Sequence, residues 1–172
     1  AMLTGEFNIE GNPFAGARCS GRRGVSDYPG FMELVRELCP TQCTLVPDGD
    51  AQLTSDHGFD LREQGDRLAP VLDELRTLGV RSSLFLDPDP GQIPIAAAIG
   101  ADRVELYTGT FARAVAEKRD VEACFARFRA SAEAALDAGL GVNAGHDLNL
   151  DNLPRFRHLP GLLEVSIGHA LT

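Results

Sequence analysis

Strand-sized apolar runs alternate with helical patterns along the whole chain, and this alternation restricts the possible folds more than any other feature. Six strand-like runs begin near Phe7, Cys43, Ser83, Arg103, Leu140 and Leu163. Between some of them, apolar residues recur at helical spacing, most clearly over 68–78 and 121–136. Helical patterns also end on the residue type favoured as a left-handed cap, at Gly79, Gly100 and Gly139. Strands that alternate with helices predict a βα repeat and a parallel sheet.

Four of these runs carry a polar residue at or near the C-terminal end. They are Phe7-Asn8-Ile9-Glu10, Val104-Glu105-Leu106-Tyr107, Val142-Asn143-Ala144-Gly145-His146 and Val165-Ser166-Ile167-Gly168-His169. In a parallel barrel the C-terminal strand ends converge on one mouth, where the chemistry takes place. The pattern therefore favours an enzyme.

The length limits which parallel architecture is possible. The chain has 172 residues, of which 44% are hydrophobic and 24% charged, and this predicts one globular domain spanning 1–172. A (β/α)8 barrel usually needs ~250 residues. Two alternatives remain at this point: an open doubly wound sheet, or a barrel that lacks parts at both ends.

Charge and composition exclude several classes of partner. The net charge of −9 argues against a nucleic-acid partner, although backbone N–H groups on an acidic protein can still bind small phosphate esters. No apolar run approaches the ~20 residues that span a bilayer, and no signal peptide precedes the first strand, so we expect no membrane partner and a cytoplasmic location. The four cysteines form no CxxC pair, which favours free thiols over disulfides or a metal site.

Three residues are candidates for acid–base chemistry. His146 stands at a strand-to-loop junction, where an imidazole can exchange protons near neutral pH; a structural histidine bonded to the backbone is the alternative. Glu10 and Glu105 are carboxylates in or at the end of apolar strands. Desolvation would raise the pKa of either and suit it to base catalysis, whereas pairing with an arginine would make it structural.

Loops supply the remaining candidates. Gly168 and His169 end the last strand, where barrel enzymes often bind phosphate, although a simple turn would also explain them. Thr54 lies in a polar loop and is able to donate a hydrogen bond to a substrate. The glycine-rich segment 11–30 contains three arginines, and we interpret it as a long, mobile, solvated loop rather than a phosphate site.

The ordered set of motifs resembles the pyridoxine 5′-phosphate synthase family. The set includes the strand ends above together with Cys43-Thr44-Leu45-Val46-Pro47-Asp48, Gln52-Leu53-Thr54-Ser55-Asp56-His57-Gly58, Ser83-Leu84-Phe85-Leu86-Asp87 and Ile167-Gly168-His169-Ala170. The resemblance implies a (β/α)8 TIM barrel and a transferase that condenses 1-deoxy-D-xylulose 5-phosphate with 3-amino-2-oxopropyl phosphate. The products would be pyridoxine 5′-phosphate, inorganic phosphate and water, formed without a metal or organic cofactor.

The resemblance also implies a role for each candidate. Glu10 would be a general base, His146 a proton donor and Glu105 a stabiliser of the transition state. Thr54 and the position of Asp147 would contact substrate, and Gly168 and His169 would bind phosphate.

The chain departs from the family pattern in ways that affect function. The first two βα units, with their histidine base and substrate-binding arginines, have no equivalent here, nor does the last helix, and Asp147 stands where glycine is common. We therefore expect a partial barrel derived from the synthase, self-associating as a homo-oligomer through its exposed edges. A non-catalytic phosphate-binding or assembly fragment is the alternative. A sugar-phosphate aldolase or isomerase is a third, although the only lysine, Lys118, lies in a helical region rather than on a strand.

Overall fold

The structure is a computed structural model that describes residues 5–49, 52 and 54–168. Six strands and six helices alternate along most of its length. The strands are β1 (Asn8–Gly11), β2 (Gln42–Leu45), β3 (Arg81–Leu86), β4 (Arg103–Tyr107), β5 (Gly141–Gly145) and β6 (Leu162–Ser166). The helices are α1 (Phe31–Leu38), α2 (Leu61–Thr77), α3 (Ile93–Ala98), α4 (Gly109–Glu117), α5 (Val121–Asp137) and α6 (Leu153–Phe156).

All six strands form one parallel sheet, in the order β1-β2-β3-β4-β5-β6. Because neighbours in the sheet are also neighbours in sequence, the chain winds in one direction and never reverses. A doubly wound sheet reverses its strand order at a switch point, so this topology corresponds to part of a barrel and not to a doubly wound sheet. The prediction of a parallel βα repeat is confirmed, and the sheet is a curled half-barrel.

The outward face of the sheet carries the apolar core. Alternate strand residues such as Cys43, Leu84, Val104 and Val142 are fully buried and pack against the helices. The helices contribute a fully buried group of leucines and phenylalanines: Leu68, Leu72, Leu75, Phe111, Phe125, Phe128 and Phe156. Strand side chains alternate between the two faces, so the residues between these apolar positions point into the concave interior.

The interior at the N-terminal end of the strands is an ionic network. Gln42 on β2 donates from Nε2 to Glu164 on β6 (3.1 Å) and accepts from Nε of Arg81 (2.8 Å). Arg103 forms an ion pair with the same glutamate, and Arg81 forms one with Glu6. These contacts connect four of the six strands through the concave interior.

Helix ends follow the predicted pattern. Gly79, Gly100 and Gly139 have φ of 71°, 88° and 77°, the left-handed conformation expected of a C-terminal cap. Helices α1, α4 and α6 were not predicted.

The segment after β1 is irregular, as predicted for 11–30, with one isolated antiparallel bridge between Arg18 and Tyr28. The described cysteines Cys19, Cys39, Cys43 and Cys124 are free. Among the described helices, none combines the length and the apolarity that crossing a bilayer requires.

Candidate active site

A cavity of about 440 Å³ opens at the C-terminal end of the sheet. Its lining residues come from β1, β3, β4 and β6 and from the loops after β2, β5 and β6: Asn8, Glu10, Thr54, Phe85, Glu105, His146, Asp147, Ser166, Ile167 and Gly168. Six of the seven residues predicted from the sequence therefore line one cavity. The seventh, His169, lies outside the described residues.

Glu105 lies at the bottom of the cavity and is 1% exposed. No arginine partner is described for it; instead hydroxyl groups of Ser166 and Thr44 hydrogen-bond to its carboxyl group. Burial, with a smaller contribution from Glu10, raises the pKa of Glu105 to about 7, and the two hydroxyl groups partly offset that rise. A carboxyl group that titrates near neutral pH is suited to proton transfer.

Glu10 lies nearer the mouth, at the third residue of β1. Partial desolvation by the surrounding protein raises the pKa of Glu10, and the Asp48 carboxylate adds to the rise. The side chain keeps contact with solvent, so it is able to accept a proton from a bound molecule and pass it to water. The pKa values of both glutamates are raised, but the two side chains lie at different depths: Glu105 is buried, whereas Glu10 keeps contact with solvent.

His146 connects the opposite sides of the cavity. Its Nε2 atom lies 2.8 Å from Oγ1 of Thr54, at hydrogen-bond distance, and its Nδ1 atom lies 3.3 Å from Oδ2 of Asp147. The ring packs edge-on against Tyr107, with centroids 5.2 Å apart. These contacts from three segments fix the orientation of the imidazole, which a proton donor requires.

The backbone at His146 and Asp147 is strained. Their φ angles are 87° and 55°, a region that non-glycine residues rarely adopt. Buried neighbours hold this turn: Thr108 donates from Oγ1 to the carbonyl of Gly145 (2.8 Å) and also bonds that of His146, and Asn152 donates from Nδ2 to the carbonyl of Asp147 (2.9 Å). The strain is therefore maintained by specific hydrogen bonds at the point where the imidazole enters the cavity.

The lining of the cavity is acidic. Three carboxylic side chains line it, and the described lining includes no lysine or arginine. The arginines of the glycine-rich loop are not among the lining residues; Arg18 lies over the ring of Tyr28 instead. Within the described part of the chain, no group of three His, Cys, Asp or Glu side chains is placed to hold a metal ion.

Several residues of the site were not singled out from the sequence. Thr44, Asn8 and Ser166 belong to the hydrogen-bonded layer around Glu105, and Thr108 and Asn152 hold the strained turn. A signal for Thr44 does exist, because polar and apolar residues alternate through Gln42-Cys43-Thr44-Leu45. This alternation marks a strand with one polar face, although it does not say what that face contacts.

The fold and the cavity together define a class: an α/β half-barrel with acid–base side chains at the C-terminal ends of its strands. Comparison of the sequence with known proteins identifies the family within this class. The chain belongs to the PdxJ family of pyridoxal phosphate biosynthesis proteins, whose family model matches residues 2–172. This confirms the predicted resemblance.

Individual relatives agree with the family assignment. Pyridoxine 5′-phosphate synthase of Xanthomonas campestris pv. campestris (strain B100) is 53% identical over 167 residues, covering 96% of this chain and 62% of that protein. The protein of the same name from Xylella fastidiosa (strain M12) is 50% identical over 167 residues, covering 96% of this chain and 61% of that one. The chain thus spans about three-fifths of the length of these relatives.

Among solved structures, a beta-arabinopyranosidase matches with a TM-score of 0.52 at 13% identity, over 78% of this chain and 22% of that one. At this identity the match shows similarity of fold alone.

Proposed function

We propose that this chain carries the acid–base part of a pyridoxine 5′-phosphate synthase site, which condenses 1-deoxy-D-xylulose 5-phosphate with 3-amino-2-oxopropyl phosphate. The observation that carries the proposal is the convergence of Glu10, Glu105 and His146 on one cavity, with Thr54 hydrogen-bonded to His146. Joining an amine to a ketone, eliminating phosphate and closing an aromatic ring each require proton transfer. A site for this reaction therefore needs more than one acid–base group.

The depths of the three groups support separate roles. Glu10, at the solvent-accessible mouth, is the general base that removes a proton from bound substrate. His146, oriented by Thr54 and Asp147, donates a proton to the leaving oxygen. Glu105, buried and held by hydroxyl groups, stabilises the charge that develops between them.

Phosphate recognition is proposed at the rim. Gly168 presents backbone close to the cavity, and nothing lies within 4 Å of the position where a Cβ would be, so a phosphate can approach the chain there. His169 follows it and is proposed to contact the same phosphate. Thr54 and Asp147 are proposed to contact the second substrate on the opposite side of His146.

We further propose that the six strands correspond to the third to eighth strands of a (β/α)8 barrel. The consecutive parallel order of the strands and the 62% coverage of the relatives support six strands of a longer barrel, and the resemblance of the motifs to the family pattern supports their places within it. We also propose a cytoplasmic homo-oligomer without a membrane partner, which associates through exposed sheet edges and binds phosphate esters and inorganic phosphate. The charge of −9 supports the proposal that nucleic acid is not a partner.

One observation favours the alternative of a non-catalytic phosphate-binding or assembly module. The cavity lining contains Asp147 and two glutamates with no described lysine or arginine to balance them, and two phosphorylated substrates would bring further negative charge. A complete site would need cationic groups from elsewhere.

The deciding experiment mixes the purified chain with both substrates and measures pyridoxine 5′-phosphate by chromatography with fluorescence detection. Product supports the synthase. No product, together with phosphate-dependent shifts in an amide NMR spectrum, supports the module. Neither product nor phosphate binding would refute both.

A variant pair makes this assay specific. Glu105→Gln keeps the size of the side chain and removes its charge, so product formation should fall at least about a hundredfold, the lower range for loss of a group that stabilises charge in the transition state. Glu133→Gln, on the exposed face of α5, is the matched control and should retain full activity. Equal loss in both variants would show that the activity does not depend on the cavity.

A further inference from the structure

The middle of β2 contributes a hydroxyl group to the bottom of the cavity. Thr44 is fully buried, and its Oγ1 atom lies 3.4 Å from Oε2 of Glu105 on β4. On its other side, the same oxygen lies 3.3 Å from Nδ2 and 3.4 Å from Oδ1 of Asn8 on β1. Thr44 therefore connects Asn8, which also lines the cavity, with the buried carboxyl group.

The other oxygen of Glu105 is confined by the strands on the opposite side. Gly145 on β5 has no side chain at the point where Glu105 Oε1 lies, and a Cβ there would overlap this oxygen. The hydroxyl group of Ser166 on β6 also bonds the carboxyl group. Oε1 therefore lies against β5, and Thr44 is a described hydrogen-bond partner of Oε2.

We propose that Thr44 is a positioning residue for Glu105, and that its hydroxyl group exchanges donor and acceptor roles when Glu105 gains or loses a proton. The inference rests on the proposed function, because it matters for catalysis only if Glu105 acts in the reaction.

The geometry allows both arrangements without moving a heavy atom. When Glu105 is ionised, Thr44 donates to Oε2 and accepts from Nδ2 of Asn8. When Glu105 is protonated, it donates to Thr44, and Thr44 donates to Oδ1 of Asn8. A hydroxyl group is suited to this exchange because it is both donor and acceptor, and its hydrogen rotates freely. Neither protonation state then leaves a buried polar group unpaired.

The test is a direct titration of Glu105 in the full chain, followed through the side-chain carboxyl carbon by ¹³C NMR. Thr44→Val keeps the shape and removes the hydroxyl group. Since bonds to the charged form are the stronger ones, its loss should raise the titration midpoint of Glu105 by roughly one pH unit. Thr44→Ser restores the hydroxyl group and should return the midpoint to that of the original chain.

Ser83→Ala is the matched control. Ser83 is equally buried on the neighbouring strand β3, and its hydroxyl group has no described hydrogen-bond partner. Its removal should leave the midpoint unchanged. Thr44→Ala gives a second loss of the hydroxyl group in case the valine variant does not fold.

An unchanged midpoint in a folded Thr44→Val or Thr44→Ala variant would overturn the proposal, as would an equal shift in Ser83→Ala. The titration uses no substrate, so its result is independent of whether the chain forms pyridoxine 5′-phosphate. Failure of the synthase assay with a shifted midpoint would refute the proposed function and leave the role of Thr44 standing.

Discussion

Replacing Glu105 by glutamine should make the protein more stable at neutral pH while damaging its site. Burial holds the pKa of Glu105 at about 7, against 4.5 for an ordinary glutamate. Below pH 4.5 the carboxyl group is neutral in both the folded and the unfolded chain, so it favours neither state. Between pH 4.5 and about 7 the unfolded chain releases this proton more readily than the folded chain, and folding becomes less favourable as the pH rises.

The magnitude follows from the interval between the two pKa values. At about 1.4 kcal/mol per unit, the interval corresponds to roughly 3 kcal/mol of folding stability lost between acid and neutral pH. Above about pH 7 both states are ionised and the loss is constant. Glutamine carries no proton to lose, so in Glu105→Gln this loss should be absent.

The measurement is urea denaturation of both proteins at several values between pH 4.5 and 8. The difference in unfolding free energy should move in favour of Glu105→Gln by roughly 3 kcal/mol across this range, a change of about 1.5 M in midpoint at a slope near 2 kcal/mol per M. Glu133→Gln controls for the loss of one acidic side chain at an exposed position. A difference that stays constant with pH would refute the argument that Glu105 is buried with a raised pKa.

Three further predictions concern the surroundings of the site and the core. Gly145→Ala should lower the unfolding free energy measured by urea denaturation by roughly 1–3 kcal/mol, because the new methyl group overlaps the Glu105 carboxyl group. Gly16→Ala, where the methyl group enters open space, is the control and should change this free energy little. Equal losses in the two variants would contradict the packing argument. Asp147→Gly should keep the unfolding free energy within about 1 kcal/mol of that of the original chain, since relief of a left-handed φ of 55° offsets the flexibility of glycine in the unfolded state. The same variant should bind inorganic phosphate more tightly in an NMR titration. Weaker phosphate binding would be inconsistent with a repulsive carboxylate. Phe156→Ala should lower the unfolding free energy by roughly 3–5 kcal/mol in the same urea experiment, because the ring is fully buried among other phenylalanines. A loss below about 1 kcal/mol would show that the cluster repacks.

The strands and the two long helices were predictable because their signals are local. Leucines at helical spacing define α2, phenylalanines and alanines define α5, and glycine caps mark where three helices end. The limits of strands were less exact. Ile167 belongs to a predicted strand-like run and lies just beyond β6, since a strand ends where its neighbour stops pairing and not where apolar residues stop.

The convergence of Glu10, Glu105 and His146 was also predictable, because parallel strands place their C-terminal ends together. The partner of Glu105 was not. Arg103 lies two residues earlier on the same strand face, but it pairs with Glu164 at the other end of the interior, and hydroxyl groups bond Glu105 instead. That choice depends on how far apart the strands bring side chains across the concavity, which the sequence of a single strand does not contain.

The ionic network at the N-terminal end has a mechanical consequence for the cavity. Its Gln42–Glu164 bond joins β2 to β6 across the concavity, although β3, β4 and β5 lie between them in the sheet. The distance between β2 and β6 across the concavity is therefore set by this side-chain bond as well as by the backbone pairing of the sheet. A substitution at Gln42 or Glu164 would widen or narrow the opening above it and change the separation of Glu10 from the His146 side. Evolution could thus adjust this cavity to a larger or smaller ligand without altering any residue that the ligand touches.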